Sequence, residues 1–267
     1  MERSLGLIAA GGALPARAAA EARRQGWRVV AFTFDTAPGL EAASDVLVPS
    51  ALADIPATIQ RLMVEQVTAA LFVGKFAKQR LVEADTSDHS VRRLAGDGLS
   101  DGALGGLIAT TLGQLGIEVL DQRPFLSPWM AAPGVLTTRP PTAEEWTEIR
   151  GGLALARQLA AHGVGQTVVR FWGATVAVEA IEGTDEVIRR GTRLSGPGAV
   201  VVKGVAPSHD YRFDTPAVGP TTLDAMIEGR ATALAIEGGR VLVVDRDEVI
   251  RRADDAGIAV VSVDGDV

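Results

Sequence analysis

The chain has 267 residues and a mass of 27.8 kDa, which at about 150 residues per domain points to two domains. A hydrophobic share of 47% with 22% charged residues excludes a disordered chain, and a net charge of −7 without a basic block argues against a nucleic-acid partner. There are no cysteines, which removes disulfides, thiolate metal sites and cysteine nucleophiles together, and three histidines alone argue against zinc.

In chain order, the start runs directly into a strand-like segment, Leu5–Ala10, rather than into a signal peptide. A glycine turn at Gly11-Gly12 leads into a helical stretch, Ala13–Arg24, followed by strands at Trp27–Phe34, Val67–Val73 and Ile117–Leu120. Strands alternating with helices predict an open parallel sheet, and continuous apolar runs fit strands buried on both faces. Gly102–Ile117 carries no charge, but its 16 residues fall short of the roughly 20 that span a bilayer. It reads as a buried helix of small residues packed against a sheet rather than as a membrane span. Prolines 124, 128, 133, 140 and 141 then break any long helix, so residues 127–141 read as a connection between residues 1–126 and 142–267. Thr142 and Glu145 have capping-box spacing and predict a helix to about Ala161. Strands follow at Thr167–Phe171, Thr175–Ala180, Ala199–Lys203, Ala233–Ile236, Val241–Val244 and Ile258–Val263, with helices at Glu186–Arg190, Thr221–Glu228 and Arg246–Ala256. The expected fold is two α/β domains, the first Rossmann-like.

Several segments carry chemistry by residue type. Gly11-Gly12 sits at the carboxyl end of a strand, where backbone N–H groups meet ligands in open parallel sheets, though a plain tight turn explains it equally. Gly74-Lys75 holds the same place after the Val67–Val73 strand, and its lysine either meets a phosphate or is solvated. Glu179–Asp185 brings several carboxylates and Thr184 to the start of a helix; Thr184 or Asp185 suits an N-cap, whereas Glu182 has no such local duty. Lys203 ends an apolar run. Asp210 and Asp214 lie four apart and suit a hard divalent cation such as Mg²⁺, with solvated loop charge as the plainer alternative. Gly219, before Pro220, opens a second possible phosphate-facing helix. No GxSxG, HExxH or Walker A pattern occurs.

Taken together, eight segments in order resemble one family. They are Ile8–Pro15 (IAAGGALP), Val73–Lys75 (VGK), Gly96–Gly98 (GDG), Gly134–Thr142 (GVLTTRPPT), Gly165–Val169 (GQTVV), Glu179–Arg190 (EAIEGTDEVIRR), Val201–Thr222 and Leu234–Ile250. The chain is similar along nearly its whole length to the metal-dependent UDP-2,3-diacylglucosamine pyrophosphatases of lipid A synthesis, the class that is not calcineurin-like. Two departures stand out: His209 replaces a frequent glutamine, and Ala217 in Pro216–Gly219 replaces a hydroxyl-bearing threonine.

The resemblance implies hydrolysis of the pyrophosphate to UMP and 2,3-diacylglucosamine 1-phosphate (lipid X), with Mg²⁺ as cofactor. It also implies a lipid-linked UDP-sugar held in a cleft between the two domains. Asp214 is expected to bind metal and activate water, Asp210 to support the same metal, and Lys203 to stabilise phosphate charge. Gly11, Gly12, Gly74, Lys75, Gln122, Gln166, Glu182, Thr184 and Gly219 are expected to bind substrate. Most of the chemistry then falls to residues 142–267. Phe125-Leu126 and Trp129-Met130, or the Gly102–Ile117 segment, are candidate linings for the acyl chains. A cytoplasmic protein is expected, touching the inner face of the inner membrane transiently, with a homo-oligomer left open. Two other classes remain at this stage. One is a non-hydrolytic nucleotide-sugar-binding module. The other is an NAD-dependent oxidoreductase, suggested by Asp35 about 20 residues after the glycine turn but opposed by an incomplete glycine fingerprint.

Overall fold

A computed structural model describes residues 3–51, 54–74 and 101–265; Lys75 and Gly96–Gly98 lie outside the described residues. The chain divides into two compact units, Met1–Ser127 with Asp210–Asp214, and Pro128–His209 with Thr215–Val267.

The first unit runs β1 (Ser4–Ala9), α1 (Leu14–Arg24), β2 (Arg28–Thr33), α2 (Leu40–Ala43), β3 (Val46–Pro49), α3 (Ile55–Val64), β4 (Ala69–Val73), α4 (Asp101–Gln114), β5 (Glu118–Val119) and α5 (Arg123–Leu126). Its five strands are all parallel in the order β3-β2-β1-β4-β5, a Rossmann-like sheet. Ala18, Ala19 and Ala22 are fully buried on α1, where small side chains let the helix lie close to β1, β2 and β4. The opposite face packs Ile8, Val30, Phe32, Leu62, Val67, Ala70, Leu112 and Ile117 into one core. α3 was not anticipated from sequence, yet Asp54 caps it by accepting the Ala57 N–H at 3.0 Å, with Pro56 in its first turn.

The second unit runs β6 (Gly134–Val135), α6 (Ala143–Ala161), β7 (Thr167–Phe171), β8 (Ala174–Val178), α7 (Thr184–Ser195), β9 (Val200–Lys203), β10 (Ala217–Val218), α8 (Pro220–Glu228), β11 (Ala233–Glu237), β12 (Leu242–Val243), α9 (Arg246–Asp255) and β13 (Ala259–Val263). The main sheet has the order β6-β13-β11-β9-β7-β8, with β9, β11 and β13 parallel and β6, β7 and β8 completing it by antiparallel pairing. Thr142 and Glu145 form the expected capping box of α6. A Cβ at Gly152 on α6 would stand 2.7 Å from Val202, and one at Gly191 on α7 2.7 Å from Val169, so both helices lie directly on the sheet.

Three expectations need correction. Residues 128–141 are not a free connection: β6 pairs with β13, and Arg139 holds both Glu145 oxygens and the Thr232 and Gly257 carbonyls. Backbone that pairs with a sheet belongs to that sheet's unit. Most of Gly102–Ile117 does form a helix, Asp101–Gln114, but from residue 105 on it is not a buried one: Leu107, Thr110, Thr111, Gly113 and Gln114 are exposed, and Gly105, Leu112 and the half-buried Ile108 face the interior. Phe125 and Leu126 are buried core residues of the first unit and line no open surface.

Candidate functional site

In the first unit the strand order reverses between β1 and β4, the place where open α/β sheets bind ligands at their carboxyl ends. Gly11, Gly12 and Gly74 stand there. Gly74 has φ +110°, and a Cβ on it would lie 2.9 Å from the Ala10 carbonyl, so only glycine lets the two loops meet. Gly12 has φ +101° and donates its N–H to the Thr36 carbonyl at 3.1 Å. Asp35, at the end of β2, has its carboxylate beside Gly11 and accepts the Thr36 N–H at 2.7 Å.

The acidic segment is also here, although the sequence places it in the second half. Gln122, buried after β5, donates its N–H to the Tyr211 carbonyl at 3.0 Å. Arg123 lies over the Tyr211 ring, 4.4 Å to its centroid, and Phe213 meets Phe72 with ring centroids 5.4 Å apart. Gly105 leaves room for the Phe213 ring, which a Cβ there would strike at 2.6 Å. Two aromatic anchors therefore assign Asp210–Asp214 to the first unit. The expectation that the second domain carries the acidic pair is corrected accordingly.

Two Asp-x-Arg turns stand side by side. The Arg123 side chain and N–H hold Asp121, and the Arg212 side chain and N–H hold both oxygens of Asp210 at 2.7–3.2 Å. Burial raises the Asp121 pKa and nearby Asp210 adds to that, but the bonds from Arg123 outweigh both and hold it below the ordinary value. Asp214 is exposed. Oxygen donors of this kind fit Mg²⁺, which uses one or two carboxylates together with waters and substrate phosphates. Asp210 serves Arg212. Among the described residues no group of three or more histidine, aspartate or glutamate side chains converges to hold a metal by protein ligands alone.

The second unit gathers Gln166, Thr184 and Lys203. Lys203 ends β9, is 4% exposed, and donates from Nζ to the Thr184 hydroxyl at 2.6 Å. Thr184 in turn donates to Glu179 Oε1 at 3.1 Å, and Glu179 Oε2 accepts the Gln166 N–H at 3.3 Å. Thr184 is the first residue of α7 and not its cap, because Gly183 occupies the cap position. Glu182 does have a local duty: it pairs with Arg190 at 2.5 Å and accepts the Ala180 N–H, and the Arg190 bond, then its own backbone bond, hold its pKa below the ordinary value. Gly219 precedes α8, and its N–H donates to the Thr222 hydroxyl, which donates to Asp185 of α7. Sequence reasoning named Glu179 only as part of the acidic run before α7, with no role of its own, and gave none to Thr167 or Glu237. Glu237, 2% exposed at the end of β11, accepts from Arg157, Arg240 and the Val205 N–H, which fastens the chain just after Lys203.

Among the described residues no helix is long and apolar enough to cross a membrane. Solved structures that match include a glycinamide-RNase-transformylase T from Mycobacterium tuberculosis (17% identity, TM-score 0.25, 67% of this chain and 44% of that one). An N5-carboxyaminoimidazole ribonucleotide synthetase in its ADP complex matches at 11% identity, TM-score 0.28, over 71% of this chain and 44% of that one. The chain spans under half the length of either protein. A curated relative, the UDP-2,3-diacylglucosamine pyrophosphatase LpxI of Caulobacter vibrioides, is 28% identical over 280 residues, covering 98% of each chain. The LpxI N-terminal domain family matches residues 4–129 and the LpxI C-terminal domain family residues 132–261. Both halves matching in order, over nearly every residue, the chain belongs to the LpxI family.

Proposed function

We propose that this chain hydrolyses the pyrophosphate bond of UDP-2,3-diacylglucosamine, water adding to one phosphorus and the P–O–P bridge breaking to give UMP and 2,3-diacylglucosamine 1-phosphate. The observation that carries the reading is Lys203. It is almost fully buried, its ammonium bonds a hydroxyl, and among the described residues no carboxylate pairs with it. A buried cation without a directly bonded counter-charge is costly, and an anionic phosphate supplies one.

Mg²⁺, when bound, supplies neutralisation of the diphosphate and acidifies water. Asp214, with Asp210 as the second carboxylate if it releases Arg212, would hold it. Asp214 orients the attacking water and takes its proton. Lys203 stabilises charge on the phosphoryl oxygens as the bridge breaks. The glycine loops at Gly11, Gly12 and Gly74 let backbone N–H groups approach the nucleotide, with Lys75 beside them in sequence; Gln122, Gln166, Glu182 and Gly219 complete the substrate contacts, and Thr184 holds the Lys203 ammonium. The reading includes a protein that meets the membrane surface transiently to collect its lipid.

The test is UMP release from UDP-2,3-diacylglucosamine with Mg²⁺, with and without a chelator. Metal-dependent release that falls at least about 10²-fold in Asp214→Ala supports the reading. Binding without turnover in the wild-type chain overturns it in favour of a nucleotide-sugar-binding module.

A further inference from the structure

We infer that Thr167 is a further substrate-binding residue: its buried hydroxyl and the Lys203 ammonium together receive one anionic oxygen, while Glu179, acting through Thr184, positions the lysine. The inference rests on the reading of Lys203 as phosphate-facing.

Thr167 and Lys203 are direct partners across the antiparallel β7–β9 pair, so their side chains leave the same face of the sheet about 5 Å apart. Their neighbours Val168 and Val202 belong to the core under α6, which turns Thr167 and Lys203 to the other face, the one on which α7 lies. Thr167 is 1% exposed, and its Oγ1 is the one buried side-chain polar atom among the described residues with no hydrogen-bond partner. Buried hydroxyls are nearly always satisfied, because losing water without a replacement bond is costly. An unsatisfied one beside a buried ammonium that no carboxylate contacts directly among the described residues marks a place built for an oxygen anion.

Hydrogen counting divides the labour. An ammonium only donates, so Lys203 uses a lone pair of the Thr184 hydroxyl. The single hydroxyl hydrogen of Thr184 therefore goes to Glu179. Thr184 has no hydrogen left for a phosphate and acts as a positioning residue. Two hydrogens remain on Nζ for a ligand, and the Thr167 hydroxyl adds a third. Glu179 is itself fixed, since its N–H donates to the Thr167 carbonyl at 2.8 Å and its carboxylate accepts from Gln166.

Thr167→Val keeps the shape and removes the hydroxyl. The urea midpoint is expected to stay the same or rise, because no protein bond is lost, while KM for UDP-2,3-diacylglucosamine rises about tenfold. Protection of the full chain by inorganic pyrophosphate against thermal unfolding should weaken in parallel. A lowered midpoint with unchanged KM, or the same pyrophosphate response in both proteins, overturns the inference. Thr184→Val is expected to lower kcat/KM about as much as Lys203→Met, with Thr184→Ser restoring it; unchanged kinetics in Thr184→Val removes the relay. If the wild-type chain releases no UMP but Thr167→Val still loses pyrophosphate protection, the oxygen-anion site stands and only the substrate assignment fails.

Discussion

Replacing Glu237 by alanine should cost the second unit several kilocalories of stability and loosen the chain that follows Lys203. Glu237 Oε1 accepts from Arg157 at 3.2 Å and Arg240 at 2.7 Å, and Oε2 accepts the buried Val205 N–H at 2.9 Å. Arg240 passes the restraint onward by donating to the Ala206 carbonyl at 2.5 Å. Truncation strands a buried N–H and leaves two guanidiniums without their shared counter-charge. Removing one member of a buried pair costs about 3–5 kcal/mol, against a total of about 5–15 kcal/mol for a folded unit. With a urea slope of about 2 kcal/mol per molar, the midpoint of the affected transition should fall by about 1.5–2.5 M. Glu237→Gln keeps one acceptor and much of the shape, so its loss should be smaller. Urea titration followed by far-UV circular dichroism reads both. A shift below about 1 kcal/mol in Glu237→Ala would refute the reasoning, because it would mean that the arginines and Val205 find other partners at little cost.

Gly74→Ala should destabilise more than Gly12→Ala: both need positive φ, at about 1–3 kcal/mol, but only Gly74 adds a clash with Ala10, and thermal unfolding ranks the two. Thr142→Ala removes the capping box of α6 and should cost about 1 kcal/mol, read from the same melts. Burial raises the pKa values of Glu145 and Glu237, but bonds from Arg139 and Thr142 to the first, and from Arg157, Arg240 and Val205 to the second, leave both below their ordinary 4.5. With folded values below unfolded ones, the unfolded chain binds more protons in acid, so this stability is present above about pH 4.5 and is lost as pH falls through the folded values. Urea midpoints measured from pH 7 to 3 should fall on the acid side, and less steeply in Glu237→Gln.

The regular elements were legible where local chemistry alone sets them. The Thr142-x-x-Glu145 spacing named the start of α6, and apolar runs named β1, β2, β4, β9, β11 and β13 within two residues at their ends. Short strands such as β3, β6 and β10 were not, because a few half-exposed residues owe their conformation to a partner strand rather than to composition. The α4 segment misled for a related reason: absence of charge signals neither burial nor exposure when the residues are glycine, alanine and threonine. Asp210 and Asp214 were visible as an acidic pair, but their address was not. Tyr211 and Phe213 decide it by contacts with residues more than eighty positions away, and no local pattern encodes that. Thr167 gave no signal at all, since an unsatisfied hydroxyl exists only once its neighbours are in place.

The five residues Asp210–Asp214 make the first unit discontinuous, and this has a consequence for how the protein is made. A ribosome that has released residue 127 has not yet delivered Tyr211 or Phe213, so Phe72, Gly105 and Arg123 wait through the synthesis of α6, β7, β8, α7 and β9 for the aromatic rings that cover them. Nascent chains usually fold unit by unit from the amino end, but here the earlier unit is completed from within the later one. No single cut separates the two. A break at residue 127 deprives one fragment of its acidic turn and leaves that turn, with its two rings exposed, on the other.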